Sequence, residues 1–165
     1  MPGWLRRGTP ILFLLAVACS ASRIESGVFY SPKGYEVRLP AGAWRVKTDD
    51  QADLELRDAA SGAGILVHAT CGGNPPRRSL PVLARHLSFG LEHRRLLEEA
   101  EVTVAGHPAV RVLLEGQLDG DLVKVEAYVL KGERCVYDLV YVAPPRGFPR
   151  RKPDFQALVE SLVAP

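Results

Sequence analysis

Four segments in the second half of the chain alternate between apolar and polar residues with a period of two, the pattern of strands that bury one face. The segments span residues 101–104, 109–118, 123–130 and 135–142. Turn sequences separate them, and Asp119-Gly120 is a strong hairpin signal because both central residues of a type I′ turn need positive φ. The pattern predicts an antiparallel meander. Its third strand has Val123, Val125, Ala127 and Val129 on one face and Lys124, Glu126 and Tyr128 on the other.

Shorter strands and two amphipathic helices flank this meander. Short apolar runs between turn residues predict strands over residues 28–30, 35–39, 44–48, 54–56 and 65–70. A first helix is predicted from Leu80, capped by Ser79, to about Leu97. Its apolar stripe comprises Leu80, Leu83, Ala84, Leu87 and Leu91, with Gly90 beside the stripe where the helix could approach a sheet closely.

The second helix is predicted to begin at Pro153 and to close the chain. Its apolar stripe comprises Phe155, Leu158, Val159 and Leu162. Together these elements predict an α+β fold in a single domain, with an antiparallel meander sheet covered by the two amphipathic helices.

The order of the elements carries a resemblance to a known fold. The chain opens with YSPKGYEVRLPAGAW, continues through the central helix and the meander, and closes with the helix DFQALVESL. This arrangement resembles the domain shared by the PsbP subunit of photosystem II, the Mog-type Ran-binding proteins and the periplasmic lipoprotein DcrB. The most specific residues are Tyr35, Pro40, Gly42 and Trp44. The resemblance implies a PsbP/DcrB/Mog-like domain that acts as an accessory or binding subunit rather than an enzyme.

The first nineteen residues have the organisation of an export signal. Arg6 and Arg7 precede a short apolar run over residues 10–18, which is too short to span a membrane because a spanning helix needs about 20 apolar residues. The run ends in Ala16-Val17-Ala18-Cys19, which resembles the lipobox of bacterial lipoproteins. In that family the cysteine is diacylated and becomes the mature N-terminus.

A second interpretation of the same segment stays open. Ala16 departs from the leucine that is commonest at its lipobox position, and Ala-Val-Ala also fits the cleavage site of ordinary signal peptidase. The lipoprotein interpretation gives a signal peptide over 1–18, a lipidated Cys19 with a short tether over 19–26, and a globular domain over 27–165. The alternative is an unlipidated, secreted binding protein.

Lipidation of Cys19 would hold the domain near a membrane. The seven-residue tether that follows it could reach at most about 25 Å. By resemblance to the sorting rules of bacteria with two membranes, Ser20 favours the outer membrane where one exists, with the domain facing the periplasm. Loss of Arg6 and Arg7 with the signal would leave 19 basic against 19 acidic residues, so no nucleic-acid partner is predicted.

The remaining cysteines, Cys71 and Cys135, are an even pair in a chain predicted to be exported. One interpretation is a disulfide that closes a loop of about 65 residues and contributes on the order of 4 kcal/mol. The other is two buried free thiols, because cysteine is among the residue types most often buried.

No catalytic residue, cofactor or metal site is predicted. His86 and His93 would lie about 10.5 Å apart along the first helix, too far to share one ion. His68 and Cys71 should leave opposite faces of their strand, and Asp119 and Asp121 suit a turn better than a calcium loop. An envelope enzyme is the alternative function, and it would need active groups that converge only in three dimensions. His68, Cys71 and His107 beside a carboxylate would be one such arrangement.

A surface for partner binding is predicted in the connection YVAPPRGFPRRK. Its aromatic and cationic members are of the types that dominate binding interfaces. The predicted binding residues are Tyr141, Arg146, Phe148, Arg150 and Arg151. Their ligand would be an anionic envelope partner or lipid headgroups, and the alternative is a linker whose charges only solvate it.

Overall fold

The computed structural model describes residues 21–47, 52–72, 78–87 and 90–165. The predicted signal peptide and Cys19 lie outside these ranges. The described residues form two antiparallel sheets and two helices. The strands are β1 (Arg23–Glu25), β2 (Val28–Tyr30), β3 (Glu36–Arg38), β4 (Arg45–Lys47), β5 (Leu54–Asp58), β6 (Ala63–Cys71), β7 (Glu92–Val104), β8 (His107–Leu118), β9 (Asp121–Lys131) and β10 (Cys135–Ala143). The helices are α1 (Leu80–His86) and α2 (Phe148–Glu160).

The small sheet has the order β1-β2-β3. Ser26 and Gly27 turn the chain with φ angles of 50° and 76°, so that β1 folds back onto β2. Positive φ at both positions is the geometry of a tight hairpin turn. Residues 23–25, predicted as part of a tether, therefore form a strand of the first hairpin.

The large sheet has the order β4-β5-β6-β10-β9-β8-β7. Strands β7 to β10 form the predicted meander, and the turns at Ala105-Gly106 and Asp119-Gly120 all have positive φ. Strands β4 to β6 form a second meander, and β6 pairs with β10 to join the two. The mostly antiparallel sheet of the prediction is confirmed.

The two helices lie on opposite faces of the large sheet. Helix α1 packs on β8 and β9, whereas α2 packs on β10, β6 and β3. The period of two assigns the faces: Val123, Val125, Ala127 and Val129 share a core cluster with Ala84 of α1. Leu130 belongs to the other cluster, with Phe155 of α2. The prediction that helices cover the sheet is confirmed only in part, because the seven residues of α1 cover little more than two strands.

Helix α1 ends at His86, and the prediction that it continues to Leu97 was wrong. Gly90 adopts a φ of 69° beyond the helix, and Glu92–Val104 pairs along most of its length with β8. This long-range pairing overrides the local helical period. Ser79 occupies the N-cap position without a side-chain capping hydrogen bond. The predicted stripe nevertheless packs as one group: Leu80, Leu83, Ala84, Leu87 and Leu91 all border the same core cluster.

Helix α2 begins at Phe148, five residues before the predicted start at Pro153. Its first turn contains Pro149, which is tolerated there because the first N–H groups of a helix have no partner inside it. Pro153 lies inside the helix. The predicted stripe faces the core: Phe155, Leu158, Val159 and Leu162 are each at most 5% exposed.

A disulfide joins Cys71 at the end of β6 to Cys135 at the start of β10. The two residues are directly opposite in the strand register, with Cα atoms 4.2 Å apart. Cys135 is buried and Cys71 is exposed. Of the two interpretations of these cysteines, the structure has the disulfide.

Candidate functional site

A groove of about 740 Å³ separates the first hairpin from the edge strand β4. Two apolar side chains of its walls are cross-strand neighbours of buried core residues. Ile24 lies opposite the buried Phe29 in the small sheet, and Val46 lies opposite the buried Leu56 in the large sheet. Ile24 is 46% exposed and Val46 is 44% exposed, so the apolar rows end at the protein surface. The remaining lining residues are Ser22, Arg23, Pro32, Lys47, Ala52, Asp53 and Leu54.

Asp53, on the groove wall, is held by three donors. Lys33 Nζ lies 2.6 Å from Oδ1, while the Tyr35 hydroxyl and the Ala69 N–H donate to Oδ2 over 3.0 and 2.8 Å. Burial raises the pKa of Tyr35 above its ordinary value, and the charge of Asp53 raises it further. Lys33 and Tyr35 lie between β2 and β3, whereas Ala69 belongs to β6. Asp53 therefore fastens the small sheet to the large one, which is a structural role.

The structure divides the predicted partner-binding residues into two groups. Tyr141 is fully buried and Phe148 is 5% exposed. The Tyr141 hydroxyl donates to the Phe148 carbonyl over 2.8 Å, and its ring stacks on Phe155. Burial raises the pKa of Tyr141 to about 12. Tyr141 and Phe148 are thus core residues and not the surface anchors that the sequence suggested. Period-two alternation could have shown this, because it aligns Tyr141 with the buried Tyr137.

Arg151 also makes its ion pairs within the protein. Its Nε lies 2.7 Å from Asp58 Oδ2 and its Nη1 lies 3.2 Å from Asp154 Oδ2. The guanidinium sits 5.7 Å from the ring centre of Trp44, whose Nε1 donates to Asp154 over 3.0 Å. These contacts tie α2 to β5 and to the segment before β4. Only Arg146 and Arg150 of the predicted surface remain exposed.

A buried ionic network lies under α2. Glu126 of β9 is 0% exposed, and its Oε1 lies 2.6 Å from Arg111 Nε. Lys152 of α2 reaches within 3.2 Å of Oε2, and Arg111 Nη1 also binds Glu98 over 2.7 Å. Burial alone lowers the pKa of Arg111, but hydrogen bonds to Glu126 and Glu98 raise it above the ordinary value. The sequence placed Glu126 opposite the valines of β9, and that face is the one that α2 covers.

The candidate catalytic groups do not converge. Cys71 is in the disulfide, and His107 Nε2 lies 3.4 Å from the Ala164 carbonyl oxygen. His68 Nδ1 lies 3.9 Å from Asp53 Oδ1, and His68 is opposite Asp138 in the β6–β10 register. Burial raises the pKa of Asp138 to about 6. No local pattern in the sequence marks Asp138, because its exposure depends on how the sheet is covered.

His93 lies in β7 with a φ of 48°, so the predicted placement of His86 and His93 on one helix was wrong. Among the described residues, no three His, Cys, Asp or Glu side chains are close enough to hold a metal ion. Neither helix of the described ranges has the length and apolarity needed to cross a membrane.

The fold has counterparts among solved structures. Cyanobacterial PsbP from Synechocystis sp. PCC 6803 shares it at a TM-score of 0.62 and 13% identity, over 91% of this chain and 96% of that one. LpqN of Mycobacterium tuberculosis, described as involved in cell envelope biogenesis, gives 0.62 and 16% over 81% and 85%. A Pseudomonas aeruginosa protein of unknown function, described as a putative regulator, gives 0.54 and 16% over 75% and 99%.

The chain thus shares the α+β fold of cyanobacterial PsbP, as its element order predicted. At 13–16% identity these likenesses show the fold alone. No family model matches the sequence, and no curated protein matches it significantly.

Proposed function

We propose that this protein is a membrane-anchored lipoprotein of the cell envelope that acts as a non-catalytic accessory or binding protein. The Cys71–Cys135 disulfide is the observation that carries the extracytoplasmic part of the proposal. Disulfides persist in oxidising compartments and are rare in the cytosol. With these two cysteines joined, Cys19 is left as the third cysteine of the sequence, at the position that a lipobox requires.

The anchor would be a diacylated N-terminal Cys19. Two or more acyl chains give stable attachment, whereas one chain binds only marginally. LpqN, which shares the fold, is described as taking part in cell envelope biogenesis, and this agrees with an envelope location. In a host with two membranes, Ser20 favours attachment to the outer membrane, with the domain in the periplasm.

Binding rather than catalysis is proposed because His68, Cys71 and His107 are dispersed. Two ionic clusters tie elements of the fold together: Asp53 joins the two sheets, and Arg151 joins α2 to β5. The groove of about 740 Å³ beside β4 exposes Ile24 and Val46, a surface suited to contact with another molecule rather than to chemistry. The partner of the protein would be an envelope protein or ligand, reached without a cofactor.

The anchor is tested by expressing the full chain in its native host and identifying the mature N-terminus by mass spectrometry. We expect Cys19 to carry a diacylglycerol group and the protein to partition into the detergent phase. The matched Cys19→Ser variant should stay in the aqueous phase with the same fold and disulfide. An unmodified Cys19, or cleavage at another bond, would favour the secreted alternative.

The binding role is tested by crosslinking on intact cells followed by capture of the tagged protein. The His68→Gln variant should capture the same partners and should complement a deletion strain as well as the wild-type protein does. Loss of complementation by His68→Gln, in a protein that folds normally, would instead favour the envelope enzyme.

A further inference from the structure

The groove beside β4 lies close in sequence to the predicted lipidation site. Ser22 lines the groove, and only Ser20 and Ala21 separate it from Cys19. Three residue steps span at most about 10 Å even when fully extended. On the proposed function, in which Cys19 carries the anchor, whatever surface surrounds Ser22 must therefore lie within roughly that distance of the bilayer.

This surface has the composition of a membrane-interface segment. Ile24 and Val46 are large hydrophobic side chains that line the groove at 46% and 44% exposure. All three residues of β4, Arg45, Val46 and Lys47, are exposed. Arg23 precedes Ile24, and its guanidinium lies 4.6 Å from the ring centre of Tyr30. Apolar side chains bordered by Arg and Lys suit the boundary between lipid tails and headgroups, because long basic side chains can keep their charge in water.

We infer that the surface formed by β1, the groove and β4, here named the groove face, rests on the anchoring membrane. Its partner is the lipid surface itself, with Ile24 and Val46 entering the headgroup region. Glu25 of β1 and Asp53 of the groove wall offset two of the three basic residues Arg23, Arg45 and Lys47, so the net charge of the described part of this face is small. Apolar contact is therefore the main source of attraction, and binding should depend only weakly on anionic lipid.

The orientation is measured by hydrogen exchange on the lipidated protein reconstituted into phosphatidylcholine vesicles. The reference is the Cys19→Ser protein in the same buffer without lipid. We expect slower exchange at the amides of β1 and β4, because edge strands have unpaired N–H groups that the membrane would cover. The amides of β7, the opposite edge of the large sheet, should exchange equally in both samples. Protection at β7 and none at β1 and β4 would overturn the inference.

A second measurement uses the unlipidated Cys19→Ser protein and its cosedimentation with the same vesicles. Ile24→Ser and Val46→Ser should each weaken partition roughly threefold to tenfold, as expected for part of an apolar side chain that leaves the membrane. Leu122→Ser is the matched control, because Leu122 is 52% exposed and does not line the groove. Thermal unfolding verifies that each variant is folded. Equal effects of all three substitutions would refute the groove face.

The charge-reversed pair Arg146→Glu and Arg150→Glu separates this surface from the linker predicted by sequence. Partition should be unchanged by these substitutions, and a large loss would assign the membrane contact to the linker instead. Failure of the anchor is distinguishable from failure of the groove face. An unmodified Cys19 refutes the lipoprotein, whereas vesicle partition of the unlipidated protein still decides whether Ile24 and Val46 contact lipid.

Discussion

Removal of Arg111 should destabilise this protein far more than removal of Glu98, the exposed carboxylate that Arg111 also binds. Arg111 bridges Glu126, which is 0% exposed, and Glu98, whose side chain is 50% exposed. Without Arg111, the Glu126 carboxylate keeps Lys152, 3.2 Å from Oε2, and a long hydrogen bond of 3.5 Å from the Tyr128 hydroxyl to Oε1. Breaking a buried ion pair by removing one member costs about 3–5 kcal/mol, because the remaining charge stays buried without its partner. Arg111→Met should therefore lower the free energy of unfolding by about 3 kcal/mol or more.

Glu98→Gln is the matched control, since it removes a partner of the same Arg111 from the solvent side. A pair this exposed contributes at most about 1 kcal/mol. The double variant Arg111→Met with Glu126→Leu removes both buried charges and should regain much of the stability lost in Arg111→Met.

The assay is urea unfolding followed by circular dichroism, with the four proteins compared at one pH. Equal slopes of the unfolding free energy against urea would show that the variants unfold from comparable native states. Arg111→Met and Glu98→Gln with equal costs, or a double variant weaker than Arg111→Met, would refute the account of the network as a buried charge that needs its partner.

Three further perturbations have directions set by the structure. Replacing both Cys71 and Cys135 with alanine should lower stability by up to about 4 kcal/mol, measured by urea unfolding against the oxidised protein, and an unchanged midpoint would contradict it. Burial raises the pKa of Asp138 from 3.8 to about 6, so the native state holds a proton that the unfolded chain releases first. Stability from this group is present below about pH 4 and is lost as pH rises through 6, by up to about 3 kcal/mol. Asp138→Asn should remove that part of the pH dependence, while the exposed Asp121→Asn should keep it. Gly116→Ala would place a Cβ 2.9 Å from the Glu92 carbonyl oxygen of β7 and should cost about 1–3 kcal/mol by urea unfolding. Gly64→Ala should cost less, because its nearest neighbour is the flexible Arg57 guanidinium.

Local signals in the sequence predicted the turns and strands that depend on few residues. Asp119-Gly120 needed only its own conformational preference to mark the turn between β8 and β9. Leu80 to Leu91 showed the correct apolar stripe, but the stripe does not reveal where the helix stops. Residues 92–97 lie in an edge strand with register shifts, so neither a period of two nor a period of 3.6 describes them.

The candidate site was predictable only where it follows alternation. Tyr141 and Tyr137 are four residues apart in β10, so they lie on the same face of the sheet and are both buried. The predicted surface role of Tyr141 is inconsistent with that alternation. The groove could not be foreseen, because it forms between the first hairpin and β4, whose relative position depends on the ties around Asp53. Nothing local to Ile24 or Val46 distinguishes a side chain that ends a core row from one inside it.

The pairing of β6 with β10 has a consequence for how the molecule opens. It joins two meanders, β4–β6 and β7–β10, each built from hairpins between neighbouring segments of the chain. In the reduced chain, each meander could open as a separate cooperative unit along this seam. The Cys71–Cys135 bond closes one end of the seam, so an opening that starts there must be shared by both meanders. Oxidation would thereby turn two neighbouring units of local unfolding into one.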